Sequence, residues 1–142
     1  MEFGADGTLA EYHGKQLHWK HHGRGSVAFE ANRIRQVLLN LTVNAINAMG
    51  ATGHIRVESL VSDSIWQLTV EDDGPGLTAD QREKIFDRFV RFKPSSNDKG
   101  SGLGLAISRS VVKLHRATIV ALVGEGERGL RMVIEIPHRS AL

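Results

Sequence analysis

Three asparagines stand in line in a stretch that otherwise has the pattern of a helix, "LLNLTVNAINAM" at residues 38–49. Asn40, Asn44 and Asn47 are spaced four and three apart, which places their side chains on one stripe of a helix. Asparagine is a poor helix former, because its amide competes for backbone hydrogen bonds. Such a stripe, beside an apolar face, indicates either a solvated polar surface or a row of amides presented to a ligand.

Two glycine-rich loops offer a second kind of chemistry. "DDGPGL" at residues 72–77 leaves a predicted strand, and "GSGLGL" at residues 100–105 enters a predicted helix. Glycine allows the backbone to approach a ligand closely, and a helix N-terminus attracts phosphate. Each loop alone also fits an ordinary turn. The second loop matches neither the Walker pattern nor a dinucleotide fingerprint.

The first part of the chain must position the asparagine stripe. "KQLHWKHH" (15–22) alternates like a strand, and "SVAFE" (26–30) predicts a second short strand after a turn. A helical apolar period then runs from about residue 31 to residue 49. Residues 1–14 show no clear period, so we expect a frayed terminus or a partly artificial extension there.

The second part of the chain must position the glycine loops. "HIRVESLVS" and "SIWQLTVED" predict two strands joined by a turn around Asp63. Thr78 and Gln81 predict a capping box for a helix that runs through about Phe86. "LGLAISRSVVKLH" predicts a further helix, and "ATIVALV" and "LRMVIEI" predict strands flanking the turn "GEGERG". This order predicts an α/β sandwich, with helices over one mixed or antiparallel sheet.

Composition limits the class of protein. The 142 residues suit one domain, and 41% hydrophobic residues suffice for a core. The absence of cysteine excludes disulfides and thiolate metal sites. No signal peptide and no apolar run of about 20 residues is present, so we expect no direct membrane insertion. A net charge of +2 does not indicate a nucleic-acid partner.

The four motifs, in this order, resemble the catalytic, ATP-binding domain of sensor histidine kinases: the asparagine helix, "DDGPG", "IFDRFVRF" and "GSGLGL". The resemblance runs from about Asn32 to Pro137, and we assign residues 15–142 to this domain. It implies the Bergerat fold, a two-layer α/β sandwich with a mixed sheet covered by helices on one face. It also implies ATP and Mg²⁺ as cofactors.

The resemblance gives the asparagines distinct roles. Asn44 matches the magnesium ligand, and a neutral amide oxygen suits a metal that also binds phosphate oxygens and waters. Asn47 fits either phosphate contact or plain solvation. Asn40 occupies the position where hydrolases of the superfamily carry a glutamate that activates water. An amide cannot take that proton, which favours transfer of the γ-phosphate over hydrolysis.

The loops supply the other implied nucleotide contacts. Asp72 matches the aspartate that accepts a hydrogen bond from the adenine amino group. Arg91 matches a basic residue that reaches the phosphates, and Phe86 and Phe89 are expected to pack the base of a lid at residues 92–101. Lys93 and Lys99 fit phosphate contact or solvated charge. The remaining residues implied to bind the cofactor are Gly74, Gly76, Lys99, Gly100, Gly102, Leu103, Gly104 and Leu105.

Two positions depart from the family pattern. "HRA" at residues 115–117 replaces "HGG", so we expect a different backbone path for that turn. Gly129 is followed by Leu130 where relatives often carry threonine near the adenine, which removes a hydroxyl.

None of the seven histidines has the context of a phosphoacceptor. The histidines of "HWKHH" are interpreted as structural or surface residues, because a strand scatters them over both faces.

The leading hypothesis is therefore the catalytic domain of a sensor histidine kinase, a protein-histidine kinase in two-component signalling. Its partners would be the dimerisation domain that carries the acceptor histidine and a downstream response regulator. We expect a cytoplasmic location, with an inner-membrane anchor elsewhere in the parent protein left open. The alternatives are a nucleotide-sensing interaction module that has lost phosphotransfer, and a related superfamily ATPase.

Overall fold

A computed structural model describes residues 7–12, 15–22, 31–49, 53–62, 64–87 and 104–137. The strands are β1 (Gly7–Tyr12), β2 (Lys15–His22), β3 (Gly53–Val61), β4 (Ile65–Asp72), β5 (Thr118–Val123) and β6 (Leu130–Pro137). The helices are α1 (Ala31–Ala48), α2 (Ala79–Lys84) and α3 (Gly104–Leu114), with one turn of 3₁₀ helix at Glu125–Glu127.

The six strands form one mixed sheet in the order β1-β2-β3-β4-β6-β5. Strands β2 and β3 are parallel, and the other neighbouring pairs are antiparallel. A parallel pair needs a long crossover connection, and α1 lies in the connection between β2 and β3. The predicted mixed sheet is confirmed.

The core lies between one face of the sheet and the helices. Along β3 and β4 buried residues alternate with more exposed ones, as a strand with one covered face requires. Ile34, Val37, Leu41 and Ala45 of α1 are buried, and their spacing places them on one helix face. The predicted two-layer sandwich is confirmed.

The N-terminal segment differs from the prediction. Residues 7–12 form β1, an antiparallel partner of β2, although no regular element was expected before residue 15. The pairing register shifts between Thr8 and Ala10, and such a bulge breaks the period of two that identifies a strand in sequence. The predicted strand at residues 26–30 lies outside the described residues, and the domain boundary at residue 15 stays a prediction.

Helix α2 begins with the predicted capping box. The Thr78 Oγ1 accepts a hydrogen bond from the Gln81 N–H at 3.2 Å, and the Gln81 Oε1 accepts one from the Thr78 N–H at 3.0 Å. The helix ends at Lys84, two residues earlier than predicted. Ile85 and Phe86 follow it and are buried in the core.

Helix α3 ends in a hydrogen-bonded turn that usually contains glycine. The Ala117 N–H donates to the Val112 carbonyl and the Arg116 N–H to the Lys113 carbonyl, both at 3.0 Å, as in a Schellman motif. Arg116 has a φ of +57°, the left-handed conformation that glycine adopts without strain. The expectation that the turn follows a different backbone path without the glycines is therefore wrong at Arg116. Among the described residues, no helix has the length and apolar character that a bilayer crossing requires.

Candidate functional site: a buried aspartate, a glycine-lined turn and an asparagine stripe

Asp72 is the last residue of β4 and is almost fully buried, at 4% exposure. Its Oδ1 accepts a hydrogen bond from the Gly74 N–H at 2.9 Å, and the Leu130 N–H faces this carboxylate closely enough to stabilise its charge. Burial raises the pKa of Asp72; the two N–H groups oppose that rise, and the nearby Asp73 and Glu71 add to it. The structure thus holds an acceptor group in a site from which water is largely excluded.

Two glycines let the loop after β4 and the β5–β6 turn meet beside Asp72. Gly76 and Gly129 have φ values of +73° and +74°. A Cβ on Gly76 would lie 2.6 Å from the Gly129 carbonyl oxygen, and a Cβ on Gly129 would overlap the Asp72 carbonyl oxygen. Because rigid backbone fills both spaces, any side chain at either position would force the two loops apart.

The asparagine stripe lies along the side of α1 that faces α3. Asn40 and Asn44 are half-buried, and Asn47 is exposed. The Asn40 Nδ2 donates to the Ser108 Oγ at 3.3 Å, and Ser108 is completely buried in α3. The predicted stripe is confirmed as a helical face, and Asn47 is its most solvated member.

The end of α1 and the loop after β4 come together at Gly53. A Cβ on Gly53 would lie 2.6 Å from the Met49 Sδ and 2.7 Å from the Asp73 Oδ1. Asn44 precedes Met49 by five residues, about 7.5 Å along a helix. Asn44 and the loop that follows Asp72 therefore lie at the same end of the sheet.

Helix α3 directs its N-terminal end toward that end of the sheet. The C-terminal end of α3 is followed by Thr118, which begins β5 and pairs with Glu135 near the end of β6. The other end of β6, at Leu130 and Arg131, is the end that lies beside Glu71. Helices α1 and α3 therefore run in opposite directions where Asn40 meets Ser108. One turn beyond Asn40, Asn44 comes level with the first turn of α3, whose N–H groups have no partner within the helix.

The remaining predicted site residues lie partly within the described ranges. Gly104 begins α3, and the Leu105 side chain belongs to the hydrophobic core. Phe86 is buried as predicted, and the Arg109 Cζ lies 5.9 Å from its ring centroid. The remaining predictions concern residues outside the described ranges, namely Phe89, Arg91, Lys93, Lys99, Gly100, Gly102, Leu103 and the lid at residues 92–101.

The histidines of "HWKHH" point to both faces of the sheet, as the strand period requires. The His18 Nε2 lies 3.0 Å from the His54 Nδ1 on the face away from the helices, and His21 lies on the other face. The His115 Nδ1 lies 2.9 Å from the Val111 carbonyl oxygen. Within the described ranges, no three His, Asp or Glu side chains are arranged to hold a metal ion.

An ionic cluster surrounds Glu71 and was not predicted from the sequence. On the sheet face opposite the helices, the Glu71 carboxylate is nearly buried. Its Oε2 lies 2.6 Å from the Arg56 Nη2, and its Oε1 lies 2.6 Å from the Arg131 Nε. The Glu125 N–H donates to the same Oε1 at 3.1 Å. These partners are separated from Glu71 by 15 to 60 residues, so no local pattern signals them.

Comparison with known proteins defines the class. Residues 29–140 match the family described as "Histidine kinase-, DNA gyrase B-, and HSP90-like ATPase". The chain belongs to this family, and the fold is that of the ATP-binding catalytic domains of sensor histidine kinases.

Particular relatives support that assignment. The chain is 40% identical over 106 residues to the sensor protein KdpD of Escherichia coli K12, covering 75% of this chain and 12% of KdpD. It is 31% identical to the solved catalytic domain of the histidine kinase ThkA, with a TM-score of 0.70 and coverage of 87% and 81%. Full-length ShkA in complex with AMPPNP gives 28% identity, a TM-score of 0.77 and coverage of 90% and 26%. The chain thus spans a small part of the full-length relatives.

A further structure contains ThkA in complex with the response regulator protein TrrA. It matches this chain with 28% identity and a TM-score of 0.68, covering 86% of this chain and 34% of that one.

Proposed function

We propose that the chain binds Mg-ATP and donates its γ-phosphate to a histidine on a dimerisation domain, as part of two-component signalling. The observation that carries this proposal is the buried Asp72 carboxylate, held between the loop after β4 and the β5–β6 turn. The ATPase family, and a relative solved with the ATP analogue AMPPNP, support the same ligand.

The Asp72 site fits an adenine ring. An ionised carboxylate only accepts hydrogen bonds, so it matches the adenine amino group and rejects the carbonyl that guanine carries instead. Gly76 and Gly129 let the loop after β4 and the β5–β6 turn pack closely beside Asp72, which would hold the carboxylate in place for the ring. Asp72 would thus choose the base, and Gly74 and Gly76 would shape the loop around it.

Asn44 fits a magnesium ion shared with phosphate. Its side chain is half-buried on α1, level with the start of α3. Magnesium prefers oxygen ligands and keeps several waters, so one amide oxygen beside the phosphates is an adequate protein ligand. When bound, the ion would neutralise charge that develops on the transferred phosphoryl group. Asn44 would orient it, and the free N–H groups of α3 would face phosphate oxygens.

Asn40 favours phosphotransfer over hydrolysis. Its Nδ2 donates to Ser108, and a neutral amide has no basic site that could take a proton from water. A chain with this residue holds ATP without activating water, so the γ-phosphate remains for a protein acceptor. Arg91, Lys99, Asn47 and the loop glycines Gly100 and Gly102 are proposed to contact the phosphates.

The proposed partners follow from the class. The acceptor histidine would lie on the dimerisation domain of the parent kinase, because none of this chain's histidines has the acceptor context. A response regulator would then receive the phosphoryl group, as the complex of ThkA with TrrA suggests for this class.

Radiolabelled ATP tests the proposal. Alone with Mg-ATP, the chain should stay unlabelled and release phosphate very slowly. With the dimerisation domain of its parent kinase added, a histidine there should acquire an acid-labile, base-stable label. Asn44→Ala should abolish that label, whereas Asp87→Asn, an exposed control, should retain it. Rapid hydrolysis by the chain alone would favour an ATPase, and tight binding without transfer would favour a sensing module.

A further inference from the structure

We infer that Glu71 is a positioning residue for the nucleotide site, although it lies on the opposite face of the sheet. In this inference, which rests on the proposed function, Glu71 fixes the β5–β6 turn, and the turn fixes the Asp72 carboxylate. Loss of the Glu71 charge should therefore weaken adenine binding and base choice without any direct contact between Glu71 and nucleotide.

The Glu71 carboxylate contacts the β5–β6 turn at two points. Its Oε1 accepts hydrogen bonds from the Glu125 N–H at 3.1 Å and the Arg131 Nε at 2.6 Å. Glu125 begins the 3₁₀ turn, and Arg131 lies in β6 just after the turn ends. One carboxylate oxygen thus forms hydrogen bonds to both ends of the β5–β6 turn.

The same turn forms one wall of the Asp72 site. The Gly129 backbone packs against the Asp72 carbonyl oxygen so closely that no Cβ fits between them. The Leu130 N–H also faces the Asp72 carboxylate and stabilises its charge. Because Gly129, Leu130 and Arg131 are consecutive, a shift of Arg131 would also move the Gly129 backbone and the Leu130 N–H that lie beside Asp72.

The charges around Glu71 make it the centre of the cluster. Arg56 also contacts the Glu125 carboxylate, with its Nη1 3.2 Å from the Oε2. The Glu71 side chain is 8% exposed, whereas Arg56 is 48% and Arg131 is 36% exposed. Charge-assisted hydrogen bonds are stronger than neutral ones, and burial increases their strength further. Glu71 can thus hold a defined position that an exposed ion pair could not.

A purely structural role makes a different prediction. If Glu71 only stabilised the sheet, its replacement would lower the melting temperature but leave the affinity for nucleotide unchanged in the folded protein. A positioning role must also change the ratio of ATP to GTP affinity and the protection of the Leu130 N–H. These readouts separate the two roles well below the melting temperature.

The test compares variants of the whole chain by titration with Mg-ATP and Mg-GTP, thermal unfolding and amide hydrogen exchange. Glu71→Gln keeps the size but removes the charge, and we expect about a tenfold loss of ATP affinity. We also expect a smaller preference for ATP over GTP and faster exchange at Leu130. Glu58→Gln is the matched control, because Glu58 is exposed on the same face opposite Thr69 and away from the turn; it should bind like wild type.

Asp72→Asn separates failure of the inference from failure of the proposed function. If Asp72→Asn reduces the preference for ATP but Glu71→Gln only lowers the melting temperature, the inference about Glu71 is wrong and the proposed site stands. If Asp72→Asn binds both nucleotides as wild type does, both are wrong. Should Glu71→Gln not fold, Arg131→Gln decides: a two- to fivefold loss of ATP affinity, about half the expected free-energy effect, supports the inference, and wild-type binding overturns it.

Discussion

The Asn40 amide lies 3.3 Å from the Ser108 hydroxyl and so joins α1 to α3 within the layer that covers the sheet. Ser108 is fully buried, and Asn40 is half-buried. One member of the stripe thus contacts the neighbouring helix through its Nδ2, and Asn44, the proposed metal ligand, lies one turn further along. Because both belong to α1, the contact with Ser108 also sets where Asn44 stands relative to α3.

This contact predicts a measurable coupling between the two helices. Asn40→Ala should lower the free energy of unfolding by about 1 kcal/mol, because it leaves the buried Ser108 hydroxyl with one partner fewer. Ser108→Ala should have a similar effect, and the double variant should cost less than the sum. Chemical denaturation of the four proteins measures the cycle. Fully additive effects would show that the two side chains do not interact.

Asn44 should be necessary for the benefit that magnesium gives to ATP binding. Asn44→Ala removes an amide oxygen that we propose as a metal ligand, so affinity for Mg-ATP should fall while affinity for ATP in EDTA should stay near wild type. Titration calorimetry in both conditions measures the difference. Gln36→Ala, exposed on the same helix but two turns before Asn44, is the control. Equal binding of Mg-ATP by wild type and Asn44→Ala would contradict the assignment.

Asp72 should make stability fall as pH rises. Burial raises its folded-state pKa above the ordinary value of 3.8, so the folded chain holds this proton more tightly than the unfolded chain. Between pH 3.8 and the raised folded value, the free energy of unfolding therefore decreases with increasing pH. Asp72→Asn cannot titrate, so its stability relative to wild type should rise across that window. Denaturation series at several pH values measure this, and a difference that stays constant with pH would contradict it.

Arg116 should be a site where glycine stabilises the fold. Its φ of +57° belongs to the left-handed region, which costs an L-residue about 1 kcal/mol or more. Since the Arg116 side chain is exposed, Arg116→Gly should raise the free energy of unfolding by about 1 kcal/mol. Gly126 is the converse control, because it has a φ of +66° and open space around its Cα. Gly126→Ala should lower the free energy of unfolding by a similar amount. Thermal unfolding measures both, and melting temperatures equal to that of wild type for both variants would contradict the prediction.

Local chemistry made part of the fold predictable. Thr78 and Gln81 encode a capping box within four residues, and the alternation in β3 and β4 follows from one covered face. The apolar period of α1 identified the buried face that includes Ile34 and Leu41. In each case the physical signal lies within the element itself, so sequence alone suffices.

Distant contacts made the rest unpredictable. Glu71 looks like a solvated strand residue until Arg131, 60 residues later, is brought beside it by the β4–β6 pairing. The bulge between Thr8 and Ala10 interrupts the strand period, so β1 was not predicted. At Arg116 the hydrogen-bonded turn that ends α3 requires a positive φ, although an arginine disfavours that conformation. The Leu105 side chain packs in the core, and its expected contact with the cofactor stays a prediction. The adenine-binding role of Asp72 and the metal-binding role of Asn44 stay predictions.

The parallel pairing of β2 with β3 has a consequence for the order in which the sheet opens. Strands β3 and β4 are joined by a short turn, and so are β5 and β6, whereas β2 reaches β3 only after the chain has passed through α1. Strands β1 and β2 therefore depend on a long connection and should open first in local unfolding. Their amides should exchange with solvent while those of β4 and β6 stay protected. Since Asp72 and Asn44 lie on β4 and α1, we expect such opening to leave both side chains in place, so that their proposed nucleotide contacts persist while that edge of the sheet is open.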